Sequence, residues 1–232
     1  MSLKNKLDED VQKTFRERWD VQATASVPAA EDLRLNSNQA KDLEQATVLY
    51  ADLNGSTKMV DQHDWTFSAE VYKTFLRCAA DIIRDEGGTI TAYDGDRVMG
   101  IFTGDLKNTQ AVRCALKIHF AVLQIIQPAL NKQYGGKNFK VGHIVGIDTS
   151  RLRTARTGVR GDNDLVWIGR AANYAAKLTS VAGRKTWITK EVYDAMNDSV
   201  KIANGQAMWT KYTWTEMENM TIYGSDYYWR VD

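Results

Sequence analysis

The pattern of apolar and polar positions along the chain is organised around Ala46 to Thr57, ATVLYADLNGST. Apolar and β-branched residues run to a single acid, Asp52, and then break into Asn54, Gly55, Ser56 and Thr57. This is the pattern of a buried strand that delivers a carboxylate to its end, followed by a small-residue loop whose amides can approach a ligand. Upstream, Leu7, Val11, Phe15 and Trp19 repeat every four residues, the stripe of an amphipathic helix. Residues 22–44 show no sustained period and predict an arm that packs across the domain. Trp65 to Glu86 has helical spacing and stops at Gly87-Gly88, residues suited to a left-handed cap.

Two short strands, Thr89 to Tyr93 and Arg97 to Phe102, flank Asp94-Gly95, a strong hairpin signal that sets Asp96 at the start of the second strand. Leu106 to Tyr134 is a long helical pattern interrupted by Pro128, where a restart or kink is expected. Phe139 to Ile147 alternates as a strand, with Arg153 to Thr157 as its short partner. A polar loop from Arg160 to Asp164 follows, then a strand at Leu165 to Ile168 and a helix from Arg170 to Val181. Thr186 to Ile188 and Lys190 to Met196 read as strand then helix, and the aromatic- and Thr-rich tail from Met208 to Val231 as terminal strands. Strands and helices alternate but hairpins intervene, so the fold class is α+β with a mixed sheet. The domain division is residues 1–44 as helix and arm and 45–232 as the main domain. Neither GxGxxG nor GxxxxGK[ST] occurs, which weakens dinucleotide and P-loop readings.

Composition narrows the partners. With 30 Lys and Arg against 29 Asp and Glu, overall charge does not point to nucleic acid or to an anionic membrane. Cys78 and Cys114 lack metal spacing and read as core thiols of a reducing compartment. The charged N-terminus has no apolar signal region, and no run approaches the ~18 apolar residues of a membrane span. A soluble, cytoplasmic protein is expected.

The candidate chemistry lies in Asp52 and Asp96, 44 residues apart and each at a strand end beside a glycine-containing turn. A strand, helix and hairpin path can set such ends side by side. Two aspartates without His or Cys offer hard oxygen ligands suited to Mg²⁺ or Mn²⁺ with substrate phosphates. Turn aspartates are also common for structural reasons, so pattern alone leaves the metal reading and the structural one open.

Three stretches, ATVLYADLNGST, then GGTITAYDGDRVMGIF (Gly87 to Phe102), then VWIGRAANYAAKL (Val166 to Leu178), stand in the order and approximate spacing of class III nucleotidyl cyclase catalytic domains, which the chain resembles over roughly Thr47 to Thr189. The resemblance implies a ferredoxin-like domain working as a head-to-tail homodimer with both subunits lining each active site. It implies two Mg²⁺ or Mn²⁺ per site, held by Asp52, Asp96 and the carbonyl of Leu53, with the amides of Asn54, Gly55, Ser56 and Thr57 cradling the triphosphate. Asn173 matches the asparagine that orients the ribose from the second subunit, and Lys177 stands where an arginine usually stabilises charge on the α-phosphate. Lysine keeps that charge but loses the planar fork of donors. One metal would acidify the 3′-hydroxyl that attacks the α-phosphorus, and the other would hold the departing pyrophosphate. The histidines need no catalytic role, and His119 reads as structural. Arg160 is a phosphate contact if its loop aligns.

The base-reading positions depart from the family. Ala92 and Val166 stand where a lysine and an aspartate usually read adenine, and neither can make that contact, nor do they match the guanylate pair. Val48, Tyr50 and Asp52 share a strand face, so Tyr50 points into the groove and narrows the base pocket, or else is a core aromatic. Arg97 is expected to face away. With the segment VPAAEDLRLNSNQAKDLEQ before it, the chain is similar to bacterial pyrimidine cyclases of anti-phage signalling, which make cyclic UMP or cyclic CMP for a separate effector protein; UTP is the favoured substrate. Two further readings fit the same residues: a catalytically silent nucleotide- or partner-binding domain, and an adenylate cyclase with atypical base readout.

Overall fold

A computed structural model describes residues 1–231. Helix α1 (Leu3–Arg16) opens the chain, capped by the Ser2 hydroxyl, and strand β1 (Asp20–Ala23) follows. None of the residues of α1 is buried, and Leu7, Val11 and Phe15 stay exposed, so the stripe seen in the sequence lies uncovered in the single chain. Trp19 falls just beyond the helix. The Asn38 side-chain amide ties the helix end down by donating to the carbonyls of Thr14 and Glu17.

The segment read as an arm is more regular than its sequence suggests. It takes in the end of β1 and the start of β2 (Gln39–Asn54), the strand expected to begin at Ala46. Polar side chains at Gln39, Lys41 and Asp42 hide the period there, while the ladder to β1 is made by the backbone. A β-bulge sets Glu44 and Gln45 against a single residue of the partner strand, Arg151.

Beyond Asn54 come α2 (Ser56–Gln62) and α3 (Trp65–Asp85). The latter is capped by Asp64 and buries Phe67, Val71, Phe75, Ala79 and Ile83. It ends at Gly87, whose φ of +80° is left-handed, while the Gly88 amide donates back to Ile83. β3 (Thr89–Asp94) and β4 (Arg97–Phe102) form the expected hairpin. Asp94 pairs with Arg97, so the two-residue loop is Gly95-Asp96 and Asp96 lies in the turn rather than on the strand.

α4 (Lys107–Ala121) runs through one π-helical stretch, Val122–Ile126, into α5 (Gln127–Tyr134). Pro128 has no N–H, and the wider π turn, with the Gln127 amide bonded to the Val122 carbonyl, absorbs that loss without a chain break.

The expected strand at 139–147 and its supposed partner at 153–157 are one strand, β5 (Gly142–Val159), which pairs with β2 along most of its length. A two-residue turn at Arg160-Gly161, not a longer loop, leads to β6 (Asp162–Ile168). The helix that follows, α6 (Arg170–Leu178), ends three residues earlier than its pattern suggested, where Thr179 turns back to bond the Ala176 carbonyl. β7 (Thr186–Thr189), α7 (Lys190–Ala195), a small hairpin of β8 (Ile202–Ala203) and β9 (Gln206–Ala207), and the terminal pair β10 (Thr210–Trp214) and β11 (Met220–Ser225) complete the chain.

The main sheet runs β10-β11-β7-β5-β2-β4-β3, with β1 on β2 and β6 on β5. Only β1–β2 and β5–β7 are parallel among the described pairs, which bears out the mixed, mainly antiparallel α+β class. One face, with Leu49, Ala51, Val98, Phe102, Val145 and Ile147, buries against α3, α4 and α7. The other, with Val48, Met99, Ile101 and Leu152, receives only α6, through Ala171, Ala172 and Ala175. That helix covers part of its face and leaves the ends of β2 and β4 open. No helix of the described residues is long and apolar enough to cross a membrane.

Candidate active site

The open part of the α6 face holds the candidate site. Val48 is buried there while Tyr50 and Asp52 emerge toward its edge, as strand alternation requires. Asp52 meets the β3–β4 turn, where the Leu53 amide donates to the Asp96 carbonyl at 3.3 Å. Asp52, Leu53, Asn54, Gly55 and Ser56 line one wall of a cleft of about 450 Å³, Asp94, Gly95, Asp96 and Arg97 a second, and Ile144, Thr179 and Ser180 a third. The loop after β2 turns through Gly55, whose left-handed φ of +80° carries the chain into α2. Thr57 is exposed one residue further along α2, just outside the lining.

Burial, and then the neighbouring charge of Asp96, push the Asp52 carboxyl up to about 6; the Thr179 hydroxyl and Arg97 pull the other way. Two carboxylates held together in a half-buried cleft are a poor arrangement unless a cation joins them. Among the described residues Arg97 is the only basic one lining the cleft, and it pairs with Asp94 at 2.5 Å. This donor set, hard oxygens with unmet negative charge, fits a divalent cation such as Mg²⁺ or Mn²⁺.

Arg97 corrects the expectation that it faces away. Because the turn is Gly95-Asp96, Arg97 pairs with Asp52 across β2–β4 and shares its face, with the guanidinium carbon 6.0 Å from the Tyr50 ring centroid. Strand register would have found it. Thr179 carried no sequence signal, since it sits just past a helix end that the pattern placed later. Tyr50 and Ala92 pack beside one cluster, with Met99 between their strands.

The remaining candidates lie elsewhere. Asn173 and Lys177 occupy successive turns on the exposed side of α6, and the Lys177 ammonium rests 3.5 Å from the Met217 sulfur. Arg160 is at the tip of the β5–β6 hairpin, at the opposite end of β5 from Gly142, which pairs with Asn54. Val166 is exposed on β6 and borders a groove with Thr14, Glu17 and Trp19. A single chain therefore gathers Asp52, Leu53, Asn54, Gly55, Ser56 and Asp96 and turns Asn173, Lys177, Arg160 and Val166 away from them. The buried histidines stand apart from the cleft, and burial holds His119 down to about 4 and His143 well below its ordinary value.

Residues 38–225 match the family described as the adenylate and guanylate cyclase catalytic domain. A uridylate cyclase from Burkholderia cepacia is 62% identical over the full length of both chains, and one from Xanthomonas perforans is 50% identical over the same span. The crystal structure of the adenylyl cyclase CyaB from P. aeruginosa, 20% identical, covers 83% of this chain and 96% of its own with a TM-score of 0.65, which bears on the fold alone. The protein is thus a nucleotidyl cyclase and belongs to the class III cyclase family, as its three sequence stretches led one to expect.

Proposed function

We propose that the protein converts a pyrimidine nucleoside triphosphate, UTP by preference, to its 3′,5′-cyclic monophosphate and pyrophosphate in a cleft shared by two copies of the chain. The observation that carries the reading is the division of the site: the paired carboxylates Asp52 and Asp96 line one cleft, while Asn173 and Lys177 face outward on α6. A head-to-tail pair would bring one chain's α6 to the other's carboxylates. Full-length identity of 62% and 50% to two uridylate cyclases supports the base, as does the lack of a polar side chain at Ala92 and Val166 to read a purine.

Asp52 and Asp96, with the carbonyl of Leu53, would hold two Mg²⁺ or Mn²⁺. Bound there, the cations neutralise phosphate charge and make the 3′-hydroxyl easier to ionise. The backbone amides of Asn54 to Thr57 receive the triphosphate, and Arg160 of the second copy is a further phosphate contact. Asn173 orients the ribose so that its 3′-oxygen faces the α-phosphorus in line, which converts binding energy into positioning. A new bond forms from that oxygen to the α-phosphorus as its proton passes to solvent, the bond to the bridging oxygen breaks, and pyrophosphate leaves with the electron pair. Lys177 offsets the charge that builds on the α-phosphate. Tyr50, Ala92 and Val166 shape the base pocket by volume rather than by hydrogen bonds. The product serves as a second messenger read by a separate effector in bacterial anti-phage defence, a role carried by the resemblance to pyrimidine cyclases.

The test is product identification by mass spectrometry after separate incubation of purified protein and Mn²⁺ with ATP, GTP, CTP and UTP. Cyclic UMP from UTP, lost in Asp52→Ala and Asp96→Ala, is expected. Equal or faster turnover of ATP would overturn the base assignment, and nucleotide binding with no product from any of the four would favour a silent domain.

A further inference from the structure

The first residue of α6 is clamped to the sheet by a buried ion pair that the reaction itself does not use. Asp148, on β5, is fully buried, with 0% side-chain exposure, and its two oxygens accept from Nε and Nη2 of Arg170, each at 3.0 Å. The Thr189 hydroxyl of β7 donates to the same carboxylate at 2.5 Å. Arg170 Nη2 also donates to the Thr149 carbonyl at 3.1 Å, and Nη1 to Glu191 at 2.6 Å. One guanidinium therefore joins α6 to β5 and to the first turn of α7. The Ser150 hydroxyl adds a bond from the next amide, Ala171, at 3.0 Å.

The planar fork accounts for the geometry, because only arginine can meet both oxygens of one carboxylate while bonding two further acceptors. Downstream of the clamp, Asn173 and Lys177 lie one and two turns along the same short helix, on its exposed side. A nine-residue helix is marginal alone, so its direction is set by what holds its ends. A small tilt at Arg170 grows along the helix toward Lys177, and displacement of about 1 Å at a reacting centre costs about a hundredfold in rate.

We propose that Arg170 and Asp148 are positioning residues that fix the angle of α6 and so aim Asn173 and Lys177 into the active cleft of the other copy. The inference rests on the shared-cleft reading above, and it predicts that damage to the clamp is felt in the partner's cleft and not in the chain's own.

That prediction is testable by co-expression of two differently tagged chains. Arg170→Gln and the charge-neutral pair Asp148→Asn with Arg170→Met, which leaves no unpaired buried charge, are each purified as homodimers and as mixed dimers with Asp52→Ala. The homodimers are expected to lose about tenfold or more in kcat with little change in KM; the double variant keeps a thermal midpoint close to that of the parent, whereas Arg170→Gln melts lower because it leaves Asp148 buried without its partner. Arg170→Lys falls between. In the mixed dimer the cleft with intact Asp52 receives the intact α6 of the Asp52→Ala chain, so activity returns at about half that of a wild-type dimer. Asn173→Ala mixed with Asp52→Ala is the control. If the control regains activity but the clamp variants keep full turnover alone, or stay inactive when mixed, the clamp is not a positioning device. If the control itself fails to regain activity, it is the shared cleft that falls.

Discussion

Arg97 stands directly across the β2–β4 ladder from Asp52 and lowers the carboxyl that burial and Asp96 raise. Its guanidinium is divided between Asp94, the Tyr50 ring and the field of Asp52. Replacing it with methionine keeps much of the bulk and removes the charge. The ionisation of Asp52 then moves above its present value near 6. The acid limb of the pH–rate profile of Arg97→Met is expected to shift upward by a measurable fraction of a pH unit. An unchanged limb would mean that Asp94 and solvent take up the charge.

The raised Asp52 also sets a sign for stability. The folded state holds this proton more tightly than the unfolded chain, whose value is 3.8, so the group contributes stability at low pH that is lost as pH rises through about 6. In chelator, wild type should lose stability relative to Asp52→Asn across that interval. On the proposed reading that Mn²⁺ binds Asp52, the cation competes with the proton, so its stabilisation should be small at pH about 5 and full at about 7.5. Thermal melts of both proteins with and without metal measure the crossing.

Tyr50 tests base selection. If the ring limits the pocket, Tyr50→Ala raises ATP turnover relative to UTP by about tenfold or more, the range that pocket shape can supply. If the ring is only a packing element beside Met99, turnover falls equally for all four nucleotides. Separate kcat/KM values for UTP, CTP, ATP and GTP distinguish the two.

Gly146 lies where α6 crosses β5. A Cβ there would stand 2.2 Å from the Ala175 carbonyl oxygen and 2.8 Å from Leu178 Cβ. Neither backbone can yield without moving the helix. Gly146→Ala is therefore expected to cost about 1–3 kcal/mol, read by urea denaturation, together with a fall in turnover.

The carboxylate strand and the hairpin were legible because each carries strong local chemistry: an apolar run stopped by Asp52, and a glycine turn between β-branched segments. β5 was not, because Ser150, Arg151 and Arg153 interrupt its apolar period. There Arg151 and Arg153 leave the core to meet Asp42 of β2, a contact between residues more than a hundred positions apart. Arg97 was misplaced by one residue of hairpin register, which is enough to exchange sheet faces. The outward direction of Asn173 and Lys177 follows from the buried alanines of the same helix, Ala171, Ala172 and Ala175. That spacing was present in the sequence, but which sheet face received it was not.

The bulge at Glu44 and Gln45 has a consequence for how the protein can change. Leu43 lies on the α6 face at an odd position, whereas Ala46, Val48, Tyr50 and Asp52 lie there at even ones, so the bulge reverses the parity of the strand. An inserted or deleted residue between Gln39 and Leu43 can be absorbed by widening or closing that irregularity, and the ladder from Ala46 onward keeps its register. Asp52 is thereby insulated from changes of chain length upstream of the bulge.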